Sequence, residues 1–456
     1  MLPENTTRIY SNFTPRKSRI KGIDKVVFFG LQHFILTYLI KLFNEEFFIK
    51  GWDDLDKEYK RHINVETDHI NKLWTLQYLP IEIKAVEEGT LVPIGVPCFT
   101  ITNTHPDFGW LTNYLETLIS AMMWQPITSA TIAYEYKKLL NKYATETTDS
   151  TEGVQWQAHD FSMRGMSSIE SAIISGMAHL TSFTGTDVVP AIYQLEESYK
   201  ATGLIGASVP ATEHSVMCMG TKESEIETFR RLLQLYPEGI LSVVSDTWDL
   251  WKVCTKYVVE LKEEILTRNG KLVIRPDSGD PVDIICGTDG GKMIPTKRDE
   301  HKGVIELLWD VFGGITNELG YKVLDSHIGA IYGDSITLER AKEICERLKA
   351  KGFASTNIVF GVGSFTYQYN TRDTFGFAMK ATYGEVNGVG QEIFKDPITD
   401  DGTKRSAKGL LRVTEDLKLV DQQTWAEENT GLLTTVFKDG QLTRFTTLDE
   451  IRSKLV

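Results

Sequence analysis

The segment Arg275-Pro276-Asp277-Ser278-Gly279-Asp280-Pro281 sets a guanidinium, two carboxylates and a tight turn directly after the apolar run Leu272 to Ile274. An Arg there suits a phosphate or a substrate edge, and a carboxylate suits sugar hydroxyls or Mg2+. A salt-bridged loop is the plainer reading of the same residues. Asp246 and Asp334 follow Leu241 to Val244 and Ile328 to Ile331 in the same way. Singly, each reads as a helix N-cap, because an Asp before a helix satisfies free N–H groups. Three such acids on one rim favour a ligand instead. Gly361-Val362-Gly363-Ser364 follows Ile358 to Phe360 and has the small residues that let backbone N–H groups approach a phosphate. Further clusters are His159-Asp160-Phe161 with Arg164, Gly185-Thr186-Asp187, and Ser208 to Ser215, which contains Glu213 and His214. A His beside an Asp reads first as a structural hydrogen bond, while a carboxylate in a turn, as at Asp187, can accept an N–H from a ligand.

These groups need a scaffold, and from about residue 155 the chain repeats strand, loop and helix. Leu241 to Val244, Leu272 to Ile274, Ile328 to Ile331 and Ile358 to Phe360 are the strands, and Asp249 to Arg268 and Ile336 to Lys351 are helical. Strand starts within each pair lie one β-plus-helix unit apart; the interval from 272 to 328 leaves room for an extra element. Buried parallel strands with polar residues at their C-terminal ends predict a β/α barrel with its active site at that end. A doubly wound open sheet is the alternative. Before this region, Leu79 to Val86 alternates and Leu91 to Thr102 is β-rich, which predicts a small β meander, followed by a helix over Pro106 to Met123. Val26 to Phe43 reads as a buried amphipathic helix, since Gly30, Gln32, His33, Thr37 and Lys41 interrupt it too often for a membrane span. Strands and turns return from Tyr367 onward, with the N-terminal meander as their partner. The expected division is 1–155 with 366–456 as a β-rich α+β domain, and 156–365 as an α/β catalytic barrel.

The chain has 456 residues, 41% of them hydrophobic and 24% charged, which suits a folded globular protein of two domains. A net charge of −13 disfavours nucleic acid and anionic membranes as partners, so anion binding must come from a local cluster. Between residues 372 and 412, seven bases (Arg372, Lys380, Lys395, Lys404, Arg405, Lys408, Arg412) stand against six acids, which makes this stretch locally positive. Some of them, Lys408 and Arg412 above all, read equally as a solvated basic loop. Five scattered cysteines without a CxxC suggest neither a zinc site nor a disulfide framework and fit a reducing cytoplasm. The opening residues do not read as a signal peptide. HExxH, GxGxxG, GxSxG and a complete P-loop are missing; Gly291-Lys292 lacks the rest of the P-loop pattern.

Taken in order, HDFSMRG (159–165), GTD (185–187), SVPATEHS (208–215), SVVSD (242–246), IRPDSGDP (274–281), GDS (333–335), FGVGS (360–364), TRD (371–373) and FKDP with KRSAKG (394–409) resemble the nicotinamide phosphoribosyltransferases. The similarity runs through nearly the whole chain, including LPIEIKAVEEG and WLTNYLETL. It implies a type II phosphoribosyltransferase fold: an irregular β/α barrel with a second β-rich α+β domain formed from both chain ends, working as a homodimer with interface active sites. It implies nicotinamide, phosphoribosyl pyrophosphate and ATP as ligands, and Mg2+ as cofactor. By the same resemblance Phe161 stacks the pyridine ring and Asp187 accepts from the carboxamide nitrogen. Arg164 and Arg275 line the ring and phosphate region, and Ser208, Ser242 and Ile331 line the substrate site. Asp277 holds ribose hydroxyls, with Gly333, Asp334, Gly363 and Ser364 around the ribose and 5′-phosphate. Arg372, Lys380 and Lys404 take the pyrophosphate or nucleotide phosphates, Asp246 and Asp277 lie near Mg2+, and His214 is the residue phosphorylated by ATP. Glu213 receives no role.

The resemblance has departures. The family carries an Asp-Ser-Tyr-Lys stretch ahead of the segment matching Leu2 to Phe13, and its Tyr comes from the other subunit to the second face of the ring. Gly329 stands where the family has an Arg near the phosphates, and Ser364 and Phe365 replace glycines of the phosphate loop. Two alternatives follow: a nicotinate phosphoribosyltransferase, against which Asp187 argues, and a nucleotide-binding dimer subunit impaired in catalysis. A phosphate-binding barrel lyase would need a Lys or His base at one of the four clear strand ends, and none is there.

Overall fold

The apolar runs become parallel strands, each longer than its apolar core. A computed structural model describes residues 2–63, 65–288, 298–394 and 407–456. Residues 132–192 and 203–369 form one compact unit. Its six parallel strands lie in the order Gly185–Thr186, Ala158–Asp160, Ile358–Val362, Ile328–Tyr332, Asn269–Arg275, Glu238–Val244. The segment 207–212 closes the ring between the two edge strands. Thr186 N–H donates to the Ala207 carbonyl (3.0 Å) and Ala207 N–H to Thr184 (2.9 Å) on one side. Ser242 N–H donates to Pro210 (2.9 Å) and Thr212 N–H to Ser242 (2.9 Å) on the other. The β/α barrel predicted from the strand ends is therefore what forms, and the open sheet is not.

Successive side chains of a strand face opposite ways. Leu272, Ile274, Ile358 and Phe360 are fully buried on the outer, helix-covered face, where each contributes about 1.5–3 kcal/mol. The inner face carries Ser242, Val273, Gly329 and Ile331, with Ser242 and Gly329 in register on either side of Val273. Neighbours of the rim acids do the helix capping. The Asp249 carboxylate accepts from Lys252 N–H, Asp280 from Val282 and Asp283 N–H, and Thr337 from Arg340 N–H. Asp246 and Asp334 are thereby released from the cap role that each could have filled. The stretch expected as one helix from Asp249 breaks into short turns, with π-winding at Val253–Tyr257, and ends at Thr267. The interval after Arg275 holds the helices Pro281–Cys286 and Asp299–Phe312 and the hairpin Gly314–Thr316/Lys322–Leu324.

Residues 1–131, 193–202 and 370–456 form the second unit. Its seven-stranded sheet interleaves both chain ends: Thr6–Thr14 lies antiparallel between Ala378–Val386 and Phe99–Asn103, and Ile81–Ala85 lies between Phe99–Asn103 and Thr434–Lys438. Phe13 stacks on Phe99 and Phe377 with centroids 5.0 and 5.3 Å away. The change from one unit to the other falls inside the single helix Glu116–Thr148, ahead of the boundary drawn at 155. The excursion 193–202 is held to this second unit by buried Glu88, which accepts from Gly30 and Gln32 N–H and from the Tyr199 hydroxyl. Val26 to Phe43 is not one helix: Lys25–Val27 pairs as a strand with Leu91–Pro93, and helix begins only at Leu31. Among the described residues no helix is long and apolar enough to cross a membrane.

Candidate active site

Two adjacent strand ends build the acidic part of the site. Val244 and Arg275 are partners in register, and the chain leaves both strands the same way, so Asp246 and Asp277 meet two residues later. Asp246 Oδ2 accepts from Asp277 N–H (3.0 Å), Ser278 N–H (2.8 Å) and the Ser278 hydroxyl. Its Oδ1 is buried and has no hydrogen-bond partner. The His214 imidazole donates from Nε2 to Asp277 Oδ1 (3.1 Å), and its Nδ1 then accepts from the Thr247 hydroxyl (3.3 Å). One ligand atom from each of His214, Asp246 and Asp277 lies within 4.8 Å of the other two. Burial alone would raise the Asp246 carboxyl, but the Ser278 and Asp277 donors hold it below the usual carboxylate range. Burial and the neighbouring Asp246 charge push Asp277 above that range. Two crowded carboxylates with one buried, unpartnered oxygen suit a hard divalent cation, which takes oxygen ligands and removes the repulsion between them.

Around Phe161 the barrel gathers His159, Arg275 and Gly361. Phe161 N–H donates to the Val362 carbonyl (2.9 Å), which fixes where its side chain leaves the strand. The Arg275 guanidinium lies 5.2 Å from the Phe161 centroid and the His159 ring 4.6 Å from it. Gly361 makes room for Phe161, because a Cβ there would stand 2.8 Å from Phe161 Cδ2 and 2.8 Å from the Tyr332 carbonyl. Gly333 packs beside Arg275 and Asp277: a Cβ would reach 3.3 Å from Arg275 Nε and 3.5 Å from Asp277 Cβ. Asp187 Oδ1 accepts from His159 Nε2 (2.8 Å) and from the Ser208 hydroxyl (2.5 Å). Burial alone would raise Asp187, but these two donors, with the charges of His159 and Arg275, hold it below the usual carboxylate range. Arg275 Nε and Ser242 Oγ are buried without partners, so both remain able to donate to a ligand.

The other residues named from the sequence divide into those at this rim and those elsewhere. Ile331 is buried on the inner strand face, and Asp334, exposed, accepts from the Ser335 hydroxyl (2.7 Å). Gly363 leaves open space where a side chain would begin, and Ser364 packs against Gly165. Arg164 is exposed on the turn Met163–Gly165. Arg372 and Lys380 belong to the sheet unit, the first on the turn Arg372–Thr374 and the second opposite Asn12 in the sheet. Lys380 shares a cavity of about 520 Å³ with Asn12, Thr14, Arg16, Thr382 and Lys408. Arg16 was missed in the sequence, where it is an isolated base with no motif around it; Lys408 had read as a solvated loop residue. Lys404, with Lys395 and Arg405, lies outside the described residues. Ser278, which braces Asp246, and Thr247, which pairs with His214, were also missed as site residues, and His159, named in its cluster only as a structural hydrogen bond, braces Asp187. Adjacency to a named residue was the only signal for the first two.

Residues 156–441 match the nicotinate phosphoribosyltransferase (NAPRTase) family. A protein of Acinetobacter baylyi named nicotinamide phosphoribosyltransferase is 54% identical over 476 aligned residues, covering 99% of this chain and 94% of that protein. One of the same name from Mycoplasma pneumoniae is 41% identical over 350 residues, 75% of this chain and 74% of that one. Among solved structures, human nicotinic acid phosphoribosyltransferase superposes with a TM-score of 0.57 at 15% identity, covering 99% of this chain and 89% of that one. A nicotinate-nucleotide pyrophosphorylase from Pyrococcus furiosus gives 0.55 at 15%, covering 99% and 88%. At that identity the two structures speak to the fold, which is that of type II phosphoribosyltransferases.

Proposed function

The chain belongs to the nicotinate phosphoribosyltransferase family, and from that membership we propose that it carries out phosphoribosyl transfer to nicotinamide. The pyridine nitrogen attacks C1 of phosphoribosyl pyrophosphate, the C1–O bond breaks, and pyrophosphate leaves with the bonding pair. The product is nicotinamide mononucleotide, a step of NAD salvage. No general base is required, since the attacking nitrogen has no proton to lose.

Asp187 is the observation that carries the choice of substrate. Its Oδ1 is taken by His159 and Ser208, which leaves Oδ2 to accept from a carboxamide N–H. A nicotinate carboxylate in the same place would meet a fixed negative charge. Phe161 stacks the ring, Arg164 and Arg275 line the ring and phosphate region, and Ser208, Ser242 and Ile331 complete the lining. Asp277 takes ribose hydroxyls, and Gly333, Asp334, Gly363 and Ser364 flank the ribose and 5′-phosphate. Arg372, Lys380 and Lys404 receive the pyrophosphate, whose growing charge in the transition state is where fixed cations gain most. Asp246 and Asp277 hold Mg2+, which when bound offsets charge on that leaving group. His214 takes a phosphoryl group from ATP, releasing ADP, and Asp277 orients its imidazole for that step. A homodimer in the cytoplasm fits the family resemblance and the absence of disulfides among the described cysteines.

Purified protein with Mg2+, phosphoribosyl pyrophosphate and nicotinamide is expected to form nicotinamide mononucleotide and pyrophosphate, faster with ATP. Mononucleotide formed only from nicotinate would move the assignment to the acid substrate. His214→Ala is expected to lose ATP stimulation and keep residual transfer, and undiminished stimulation would exclude the phosphohistidine. Gly361→Ala should displace the Phe161 ring and raise KM for nicotinamide about tenfold, since even small displacements in a positioned site are costly; an unchanged KM would show that the ring does not bear on Phe161.

A further inference from the structure

The His159 imidazole joins the two residues proposed to hold the pyridine. Nε2 lies 2.8 Å from Asp187 Oδ1, and the ring centroid lies 4.6 Å from that of Phe161. The strand that precedes Asp187 is shaped to admit it: a Cβ on Gly185 would come within 2.8 Å of His159 Nδ1. Asp187 is about half exposed on its own loop, its side chain at 46%, whereas the His159 side chain is held at 12%. The anchored partner therefore fixes the freer one. Nε2 faces a carboxylate that has no proton to give, so Nε2 carries the hydrogen and donates it. Ser208 donates to that same oxygen, and both donors together leave the second carboxylate oxygen open. A carboxylate rotated by one torsion would present a lone pair elsewhere; two donors on one oxygen prevent that rotation.

We propose that His159 is the positioning residue behind amide selectivity: by holding Asp187 Oδ1 it leaves Oδ2 as the open acceptor for the carboxamide N–H and keeps a negative charge facing any carboxylate substrate. The inference rests on the nicotinamide reading of Asp187. It assigns His159 a role in choosing the substrate, apart from the bond-making step, so its removal must act on discrimination and on KM more than on kcat.

The test is the ratio of kcat/KM for nicotinamide to that for nicotinate, measured with Mg2+ and saturating phosphoribosyl pyrophosphate. His159→Ala is expected to lower the ratio about tenfold or more, mainly through KM for nicotinamide. His159→Phe fills the same space without a donor and should lose the ratio as far, while His159→Gln, whose amide can donate from the position of Nε2, should keep it within about threefold. In an Asp187→Asn background, His159→Phe should change the ratio less than about twofold, because the two act as one unit. An unchanged ratio in His159→Phe overturns the proposal, as does a Gln variant that falls as far as Phe, or a full additive loss on top of Asp187→Asn. Thermal melting of each variant identifies any that fail to fold, and the Phe and Gln pair then decides. A wild-type enzyme that prefers nicotinate overturns the proposed substrate itself, and this inference with it.

Discussion

Asp246→Asn and Asp277→Asn are each expected to lower kcat/KM for phosphoribosyl pyrophosphate by about 10²-fold, equivalent to about 2.7 kcal/mol of transition-state stabilisation. Both should also raise the Mg2+ concentration needed for half-maximal rate. The geometry makes these substitutions clean. An Asn at 246 can keep its amide oxygen where Oδ2 now accepts from Asp277 and Ser278, so the loop clamp survives. The amide nitrogen then replaces the buried, unpartnered Oδ1, and a hydrogen-bond donor stands where a cation would have found a lone pair. An Asn at 277 likewise keeps an acceptor for His214 Nε2 while its charge is lost. The expected loss follows from charge and lone pairs, with packing nearly unchanged. Melting temperatures close to wild type with a lost magnesium response would support it; a magnesium titration identical to wild type would remove both acids from the metal site. The two variants should not add, because the carboxylates form one coupled pair and the site is disabled once either charge is gone.

How much of this site was legible in the sequence depended on where each residue sits relative to a strand. Asp246, Asp277 and Asp334 follow directly after apolar runs, and in a parallel barrel the end of a strand is also the rim, so sequence position and spatial position coincide. Which acid caps a helix was not legible, because Asp246 and Asp249 are equally good caps by type, and only the path of the chain gives the cap to Asp249. The closing segment 207–212 is interrupted by Pro210 and has no period-two pattern, so its pairing with both barrel edges could not be read from periodicity, although Ser208 within it and His214 just after it were picked out. The unit boundary inside Glu116–Thr148 was hidden for a simple reason: a continuous helix has no compositional break where it passes from one core to another. Arg16 illustrates the remaining limit. It reaches the cavity of Lys380 and Lys408 only because a strand from the start of the chain pairs with one that follows residue 377, a contact across more than three hundred residues that no local pattern encodes.

That same pairing of chain ends depends on a buried ion pair, and breaking it is expected to cost about 3–5 kcal/mol. Lys84, on the strand Ile81–Ala85, donates from Nζ to Glu428 Oε2 and to Asn429 Oδ1, both at 2.6 Å, and the Glu428 side chain is only 1% exposed. The Tyr10 hydroxyl donates to the other oxygen of Glu428 (3.3 Å), and burial with that neighbouring charge pushes the Tyr10 phenol far above its ordinary range. Three segments of the chain thus meet on one carboxylate. Glu428→Ala would leave the Lys84 ammonium buried without its counter-charge and the Tyr10 hydroxyl short of one acceptor. For a unit of 150–250 residues, where 1 kcal/mol shifts the midpoint by about 2–4 °C, the melting transition of the sheet unit should fall by roughly 10 °C. Hydrogen exchange should rise along Ile81–Ala85, where the pair is anchored. The double change Lys84→Met with Glu428→Leu removes both charges together and should recover most of the loss, since the cost of a broken buried pair lies mainly in the charge left behind. A double variant as unstable as Glu428→Ala would show instead that the packing of these side chains, and not their charge, holds the two chain ends in one sheet.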